Sequence, residues 1–359
     1  MAAFSSYSID QLHQEAIQLL SQLIEIPSLS REEDKTADLL QAFFEKQGVS
    51  VNRQGNNVWA RNLHFDSSKP TILLNSHHDT VKPNQGYTKN PHKAIIEDGK
   101  LFGLGSNDAG GPLVCLIMSF LHLYDREDLK YNLLMAATAE EEVSGAGGVS
   151  SILSELGAIE VGIVGEPTLM EMAISEKGLM VLDCYAKGRA GHAARDEGEN
   201  AIYKAIKDIE WFRTYQFPKQ SEKLGPVKMS VTVIEAGSQH NVVPDTCHFV
   251  VDVRTTDAYT NEETLAHIRE HVSCEVKERS TRLQPSRIDK EHAVVQAAES
   301  LGIRTFGSPT MSDQALMPFS TVKMGPGYSN RSHTADEFIF VDELKQGVEG
   351  YLKVLEKLI

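Results

Sequence analysis

Cysteine, tryptophan and positive charge are all scarce in this sequence. Its 359 residues include 4 cysteines and 2 tryptophans, and 35 Lys and Arg stand against 50 Asp and Glu, which gives a formal net charge of −15. The cysteines lie far apart and form no Cys-x-x-Cys pair, which excludes the disulfide framework of a small secreted domain. Because clustered Lys and Arg are also missing, neither nucleic acid nor an anionic membrane is an expected partner.

Long apolar segments are missing too. No apolar run approaches the ~20 residues that a transmembrane helix needs, so the sequence predicts no membrane span. The N-terminal segment 1–8 lacks a charged region followed by a long apolar run, so it does not have the features of a signal peptide. Together with the cysteine pattern, this leads us to expect a cytoplasmic protein.

Apolar residues are nevertheless frequent enough to fill two cores. They make up 41% of a chain that, at 359 residues, is too long for one ordinary domain. Alternating strand and helix patterns over 1–174 predict an α/β sheet covered on both faces. Longer strands over 175–284 predict a separate α+β insert, and helix and loop signals over 285–359 predict that the first domain resumes there. The clearest predicted helices are at 9–26, 33–47, 112–124, 200–215 and from 342 onward.

A histidine and an aspartate follow the first strongly apolar strand. The segment Ser76-His77-His78-Asp79 comes directly after Ile72-Leu73-Leu74, and open α/β sheets bind their ligands at the carboxyl ends of strands. In an extended segment His77 and Asp79 point the same way, so the carboxylate can fix the tautomer of the imidazole. Taken alone, such a pair is more often a surface pair or a hydrogen-bonded core pair.

Three further segments place acids at strand ends or in turns. Asp108 lies in a glycine-rich turn before a helix, where it is either a helix cap or a ligand. Glu140-Glu141-Glu142 follows a predicted strand; it is either an exposed acidic helix start or a pair in which one glutamate binds a cation and its neighbour stays free as a base. Glu166 precedes Pro167 in another turn, where simple solvation is the alternative.

One more histidine, His333, lies in the polar loop 329–337 near the far end of the chain. By itself it is weak evidence for a site. Two histidines and several carboxylates, each at a strand end or in a turn, nevertheless supply the nitrogen and oxygen ligands that a pair of zinc ions prefers. The whole set therefore predicts a metal site.

These motifs resemble those of the M20 family of metallopeptidases and deacylases over essentially the whole chain. The sequence is most similar to the acetylornithine deacetylase and succinyl-diaminopimelate desuccinylase branch. The matching motifs are His-x-Asp at His77 and Asp79, the glycine-rich motif at Asp108, Glu-Glu at Glu141 and Glu142, Glu-Pro-Thr at 166–168, and the late His333. Glu140 stands where relatives usually have Asp.

The resemblance implies a role for each of these residues. One zinc ion would be held by His77 and Glu166 and the other by Glu142 and His333, with Asp108 bridging the two and Co²⁺ a possible substitute for zinc. Glu141 would be the catalytic base, supported by Asp79. We align the base to Glu141 rather than Glu140 because Gly147 then falls where the family has its following glycine.

Two features next to Asp108 also follow from the comparison with the family. Family members usually have a cis peptide bond after the bridging aspartate, here Asp108-Ala109. The commoner family pattern has Met-Lys before the glycine pair, whereas this chain reads Ala109-Gly110-Gly111. Any role of that lysine is therefore missing, and this puts the metal stoichiometry in question.

The insert resembles the family's lid domain. The resemblance implies an α/β/α zinc-hydrolase domain with an inserted ferredoxin-like α+β lid, through which a homodimer forms. His192, in the motif 188–194, would be catalytic by stabilising an oxyanion, and Asn241 and Arg254 would bind the substrate carboxylate. A surface histidine and a strand-surface ion pair are the alternatives for His192 and Arg254.

The implied activity is zinc-dependent hydrolysis of the amide bond of a small N-acylated amino acid, as in acetylornithine deacetylation in arginine biosynthesis. A dipeptidase or aminopeptidase of the same family is the main alternative, and the Glu-Pro-Thr motif favours the deacylase. A dinuclear phosphoesterase should show a cationic cluster around the site, and none is evident. A non-catalytic relative should lack a ligand, and none is missing.

Overall fold

The computed structural model describes residues 4–195 and 197–359; the first three residues of the N-terminal segment discussed above lie outside this range. The chain forms two compact units. The first comprises Met1–Ile174, Ile288–Phe306 and Ser312–Ile359, and the second comprises Ser175–Arg287 and Gly307–Met311. The mixed α/β fold predicted from the sequence is confirmed. Within the described residues, no helix is both long and apolar enough to cross a membrane.

The secondary structure includes both long elements and very short strands. The helices are α1 (Ile9–Ile24), α2 (Asp34–Lys46), α3 (Gly111–Leu123), α4 (Val149–Leu156), α5 (Ala201–Thr214), α6 (Asn261–His271), α7 (Ala293–Ser300) and α8 (Val341–Leu358). The strands are β1 (Val51–Gln54), β2 (Asn57–Arg61), β3 (Thr71–His77), β4 (Ile95–Glu97), β5 (Lys100–Phe102), β6 (Asn132–Thr138), β7 (Val161–Gly165), β8 (Met172–Glu176), β9 (Gly178–Lys187), β10 (Gly191–His192), β11 (Lys228–Ala236), β12 (Val242–Val243), β13 (Thr246–Thr255), β14 (Glu275–Glu278), β15 (Ser286–Arg287), β16 (Thr305–Ser308), β17 (Thr321–Met324) and β18 (Phe338–Phe340).

The main sheet of the first unit runs in the order β1-β2-β6-β3-β7-β17-β8. Its centre is parallel, because β3 pairs in parallel with both β6 and β7, and β17 pairs in parallel with β7. Every residue of β3 and of β6 is buried. Parallel strands buried on both faces are expected to form continuous apolar runs, and this explains why these strands were visible in the sequence.

Helices cover both faces of this sheet. Alternate residues of β3 belong to different cores: Ile72 and Leu74 pack with α1, α3 and α8, whereas Leu73 packs with Trp59 and α4. Period-two alternation is the geometry of a strand between two layers. The α/β/α arrangement expected for this unit is therefore present.

Helix α1 illustrates how local sequence fixes an element. Ser8 accepts a hydrogen bond from the backbone N–H of Gln11, and the Gln11 side chain accepts one from the backbone N–H of Ser8. This capping box satisfies two backbone donors that a helix start leaves unpaired. The helix begins at the predicted residue 9 and ends two residues before the predicted limit of 26.

The second unit is an antiparallel sheet with helices on one face. Apart from the two-residue strands β10 and β12, which pair with each other, its chain order is β9-α5-β11-β13-α6-β14. Its sheet order is β11-β13-β9-β14. This β-α-β-β-α-β order is that of a ferredoxin-like fold. The core of the unit is formed by apolar residues of β9, β13, α5 and α6. Strand β11 lies at the edge of the sheet.

Candidate metal centre

The centre is assembled at the carboxyl ends of three adjacent parallel strands. Strand β3 ends at His77, β6 at Thr138 and β7 at Gly165. Their parallel registers put these ends side by side. The polar segments that follow the strands therefore converge on one place, as the sequence predicted for an open α/β sheet.

His77 is the buried hub of the centre. Its Nε2 lies 3.4 Å from Asp108 Oδ1, 3.8 Å from Glu166 Oε1 and 3.9 Å from Glu141 Oε2. Its Nδ1 lies 3.0 Å from the carbonyl oxygen of Asp79. Since Nδ1–H donates to that carbonyl, Nε2 is the nitrogen that faces the carboxylates, and a cation bound between them would take the Nε2 lone pair in place of a proton.

Asp108 faces two imidazoles with its two oxygens. Oδ1 lies 3.4 Å from Nε2 of His77, and Oδ2 lies 3.7 Å from Nε2 of His333. This is the arrangement that a carboxylate needs to bridge two cations. The Asp108-Ala109 peptide bond is cis, as the family resemblance implies.

His333 and Glu142 form the second half of the centre. Nε2 of His333 lies 3.0 Å from Glu142 Oε2. The other oxygen, Glu142 Oε1, is buried and has no hydrogen-bond partner. A buried carboxylate oxygen without a partner is costly, and coordination of a cation satisfies it.

The three adjacent glutamates diverge. Glu140 accepts a hydrogen bond from the N–H of Gly147 and fills the space that a side chain at Gly145 or Gly147 would need. Glu141 is directed to His77, and Glu142 to His333, as the distances above show. The divergence relieves the repulsion among three neighbouring carboxylates, and the glycine spacing that we used to select Glu141 reflects the contact made by Glu140.

Asp79 holds these groups in place from behind. Its oxygens accept the backbone N–H groups of Glu141 (3.0 Å) and Glu142 (3.2 Å), and also the hydroxyl of Ser30 (2.7 Å). Burial favours a higher pKa for Asp79, but the hydrogen bonds and charge of His77, together with the Ser30 bond, outweigh burial and lower the pKa. Asp79 is thus an ionised positioning group rather than a proton carrier.

The electrostatics of the centre favour bound cations. Burial, together with the charges of Glu166, Asp313 and Glu142, raises the pKa of Glu141 well above its usual value, although His77 opposes this. Burial lowers the pKa of His77, but the surrounding carboxylates outweigh it and raise that pKa well above the ordinary value. Two groups of three side chains have their ligand atoms within 4.8 Å of one another. The first is His77, Asp108 and Glu142, and the second is His77, Glu141 and Glu166. Nitrogen and carboxylate oxygen ligands suit zinc and related divalent ions.

Glu337 is a buried residue to which our sequence reasoning assigned no role. Its carboxylate accepts the backbone N–H groups of Gly105 (3.1 Å), Asn107 (2.9 Å) and Asp108 (2.9 Å). Burial and the charge of Asp108 raise the pKa of Glu337 to about 8, although the three N–H groups oppose this shift. The only sequence signal was an acid four residues after His333.

Asp313 is a second acid without a predicted role. It is buried, and its Oδ2 accepts the hydroxyl of Thr138, at the end of β6, at 2.7 Å. Its charge contributes to the raised pKa of Glu141. It lies in a short helical turn that follows β16, with no pattern in the sequence that connects it to the other acids.

Close packing around the backbone of Gly110 explains why this position does not carry the lysine that is common in the family. A side chain at Gly110 would place its Cβ 2.5 Å from the Gly105 carbonyl oxygen and 2.7 Å from Leu20 Cδ1. The amide of Gly110 also donates to that same carbonyl, at 2.9 Å. This turn is therefore too tightly packed for a lysine at position 110.

His192, predicted to be catalytic, and Asn241, predicted to bind the substrate, lie together in the second unit. His192 in β10 pairs with Val242 in β12, and the neighbouring Ala193 N–H donates to the Asn241 carbonyl at 3.0 Å. Nδ1 of His192 accepts the N–H of Ala194 at 3.2 Å, which places the proton of a neutral ring on Nε2. His192 is therefore an exposed N–H donor.

Arg254 makes a different contact, on β13. Its Nε and Nη2 bind the two oxygens of Asp252 at 2.9 and 3.1 Å. This is the strand-surface ion pair that the sequence left open as an alternative. Binding of a substrate carboxylate by Arg254 stays a prediction, and it requires the substrate to replace Asp252.

The fold and this ligand set define the chain as a metal-dependent amidohydrolase. Residues 73–357 match Peptidase family M20/M25/M40, and the chain belongs to this family. It is similar to the LysW-lysine/LysW-ornithine hydrolase of Sulfurisphaera tokodaii, with 27% identity over 353 residues that cover 95% of each chain. It is also similar to the acetylornithine deacetylase of Myxococcus xanthus, with 26% identity over 338 residues, 86% of this chain and 87% of that protein.

A tripeptidase from Staphylococcus aureus has the same fold. Its structure gives a TM-score of 0.78 at 20% sequence identity and covers 96% of this chain and 98% of that one. The family predicted from the sequence motifs is thereby confirmed. The acetylornithine deacetylases among the relatives agree with the predicted branch.

Proposed function

We propose that this chain hydrolyses the amide bond of an N-acylated amino acid with two zinc ions. His77 and Glu166 would hold one ion, Glu142 and His333 the other, and Asp108 both. The observation that carries this proposal is the placement of Asp108, whose two oxygens face the Nε2 atoms of two different histidines. Co²⁺ is the expected substitute, because it accepts the same nitrogen and oxygen ligands.

When bound, a pair of zinc ions would lower the pKa of a water molecule toward neutrality. Glu141 would take a proton from the attacking water and deliver it to the leaving amine. Its carboxylate is directed toward His77, with Oε2 of Glu141 3.9 Å from Nε2 of His77. Asp79 fixes the orientation of this base by accepting its backbone N–H.

His192 would stabilise the negative charge that develops on the carbonyl oxygen of the substrate. The Nε2–H of a neutral ring is the donor required, and it is left free because Nδ1 accepts the Ala194 N–H. A preorganised donor of this kind contributes about 3 kcal/mol to transition-state stabilisation. In the family that the sequence resembles, the corresponding histidine often acts in the active site of the partner subunit.

The substrate class follows from the family branch and from the substrate-binding residues that we propose. Arg254 and Asn241 would bind the α-carboxylate of the substrate, since the planar guanidinium binds a carboxylate with two hydrogen bonds. The names of two relatives both contain ornithine. We therefore expect an acetyl or succinyl derivative of ornithine, citrulline or lysine, with a place in arginine biosynthesis for the acetylornithine case.

Variants of two adjacent glutamates test the mechanism. Glu141→Gln should retain the metal content of the wild type and lose about 10²–10⁴-fold in kcat, the contribution of a general base. Glu140→Gln is the matched control, because Glu140 contacts the glycine turn rather than His77, and it should stay within about tenfold of the wild type. Wild-type turnover by Glu141→Gln would reject the assigned role.

A substrate panel tests the reaction class. The zinc-loaded enzyme is assayed by ninhydrin or chromatography on acetyl and succinyl derivatives of ornithine, citrulline and lysine, and on dipeptides. We expect release of the free amino acid from at least one acyl derivative at a kcat/KM far above that for any dipeptide. Hydrolysis of the dipeptides alone would instead establish the dipeptidase or aminopeptidase alternative.

We also propose that the second unit mediates homodimer formation. Strand β11 is a sheet edge, and its Val233 and Ile234 are 43% and 55% exposed. On the neighbouring helix α5, Tyr203 and Ile206 are 69% and 54% exposed. An exposed edge strand beside large apolar side chains is a surface that a second copy would cover.

A further inference from the structure

We infer that the last turn of α6 carries a separate transition-metal site, formed by His267, Glu270 and His271. One ligand atom from each of these residues lies within 4.8 Å of the others. The two histidines are four residues apart, so they share one helix face. Their rings stack with centroids 4.3 Å apart and an interplanar angle of 30°. Because the lone pairs lie in the ring planes, the rings must turn out of this stack to bind one ion together. None of the three belongs to the centre described above.

Each imidazole has one nitrogen occupied and the other available. Nδ1 of His271 lies 2.8 Å from the carbonyl oxygen of His267, so Nδ1–H donates and Nε2 keeps its lone pair. Nε2 of His267 lies 2.5 Å from the hydroxyl oxygen of Tyr215. When this hydroxyl accepts the Nε2–H, Nδ1 of His267 keeps its lone pair. A partner that fixes the tautomer in this way is typical of histidines that bind metals.

Aromatic rings pack against both imidazoles. Trp211 stacks on His271 with a centroid distance of 5.5 Å and an angle of 24°. Phe217 lies 4.9 Å from the His267 ring. These contacts keep the two imidazoles beside each other at the end of the helix.

The position on the helix also favours a cation. The C-terminal end of a helix carries partial negative charge from its unpaired carbonyl groups, and α6 ends at His271. Glu270 adds a full negative charge at the same end. Two imidazoles and one carboxylate are ligands for Zn²⁺, Cu²⁺ or Ni²⁺ rather than for Ca²⁺ or Mg²⁺. Three protein ligands leave one position of a tetrahedral zinc ion for water or another ligand.

Zinc stoichiometry tests this site. The full-length protein is dialysed to equilibrium against a zinc buffer, and bound zinc per chain is measured by mass spectrometry. His271→Gln should bind one equivalent less than the wild type while its turnover stays within about twofold. His240→Gln is the matched control, since His240 is an exposed histidine of the same unit outside the cluster, and it should bind as much zinc as the wild type.

Circular dichroism of the metal-free protein shows whether His271→Gln folds. If it folds poorly, a second variant provides the test. Tyr215→Phe removes only the hydroxyl that orients His267, and it should weaken this zinc equivalent by about 10–100-fold. Equal zinc binding and equal affinity in the wild type and in the folded variants would overturn the inference. The difference in stoichiometry is independent of the number of ions in the catalytic centre, so failure here leaves the proposed function intact.

Discussion

At the scale of single residues, Glu337 connects two metal-ligand segments that are distant in the sequence. It lies four residues after His333 and accepts three backbone N–H groups from the turn that carries Asp108. Asn107 adds a second link, because its side chain accepts the N–H of Tyr328 and donates to the carbonyl of the same residue. Asp108, the proposed bridging ligand, and His333 are therefore positioned together.

Replacing Glu337 by glutamine tests this positioning role. Glu337→Gln keeps the size of the side chain but replaces one acceptor oxygen by an N–H donor, which will repel the backbone donors of the Asp108 turn. We expect the affinity for catalytic zinc to fall by about 10–100-fold, as for other residues that orient metal ligands. The measurement is competition with a chelator, followed by the recovery of activity.

Glu349→Gln on α8 is the control for that experiment, and its zinc affinity should match that of the wild type. Restoration of full activity by excess zinc would show that Glu337 acts through metal binding. A variant with unchanged zinc affinity would contradict the positioning role.

The sequence identified the residues that carry motifs but not those that act through the backbone. His77, Asp108 and Glu142 were found because each follows a strand or lies in a glycine turn. Glu337 was assigned no role because its partners lie 229 to 232 residues away. In addition, almost any residue has a backbone N–H group, so the amino-acid type of the partner does not reveal such a hydrogen bond. Asp313 was missed because its partner, the Thr138 hydroxyl, lies 175 residues away.

At the scale of elements, the turn after β6 depends on close backbone approach. A Cβ at Gly148 would contact the carbonyl oxygen of Ala139, while Gly145 and Gly147 make room for the Glu140 side chain. The turn can direct three successive glutamates in three directions only because these positions have no side chain.

Gly148→Ala is therefore expected to destabilise the first unit and disturb Glu141 and Glu142 together. We expect a loss of about 1–3 kcal/mol in the free energy of unfolding, the usual cost of overpacking, together with weaker zinc binding. Urea denaturation and zinc titration measure the two effects. Ser150→Ala, at an exposed position just beyond the turn, should show neither, and a fully stable Gly148→Ala would contradict the packing argument.

The sheet of the second unit contains a carboxylate with a pH-dependent contribution to stability. Hydrogen bonds from Arg279 and then His248 lower the pKa of Asp183 to about 2, from 3.8, although partial burial opposes the shift. Because the folded pKa lies below the unfolded one, the contribution is complete above the unfolded pKa and disappears as the pH falls through about 2. Solvent around Arg279 reduces it to about 1 kcal/mol.

Asp183→Asn should accordingly be less stable than the wild type by about 1 kcal/mol at neutral pH. The difference should shrink as the pH falls below the unfolded pKa of 3.8. Urea denaturation over a series of pH values measures it. Asp245→Asn, at an exposed residue of the same unit, is the control. A difference in the free energy of unfolding between the wild type and Asp183→Asn that stays constant down to the lowest accessible pH would contradict the assigned role of the Asp183 carboxylate.

Long elements were predictable from sequence, and short ones were not. Strands β3 and β6 have 7 residues each and β9 and β13 have 10 each, long enough to show clear apolar runs or alternation. Strands such as β10 and β12 have two residues each, too few to show any period. They exist because a partner strand supplies their hydrogen bonds, and that partner is set by the tertiary fold.

At the scale of the whole molecule, the proposed homodimer can be tested by introducing charge on the exposed surface of the second unit. The double variant Ile206→Glu with Ile234→Glu should be monomeric, because two buried carboxylates at an interface are costly to desolvate. Light scattering coupled to size-exclusion chromatography gives the mass. Leu63→Glu introduces the same charge at another residue that is 56% exposed, and it should leave the dimer intact.

A wild-type protein that is monomeric at all concentrations would contradict the proposed dimer. A dimer in both variants would place the interface elsewhere.

The strand order of the first unit has a consequence for how the protein is made. Strand β17 lies between β7 and β8, yet it is synthesised after the whole of Ser175–Arg287. His77, Asp108 and Glu166 leave the ribosome before this insert, whereas His333 leaves after it. With the ligand sets proposed above, a nascent chain would carry most ligands of one metal ion while the sheet still has a gap, and the second ion would gain its histidine only after the insert is made.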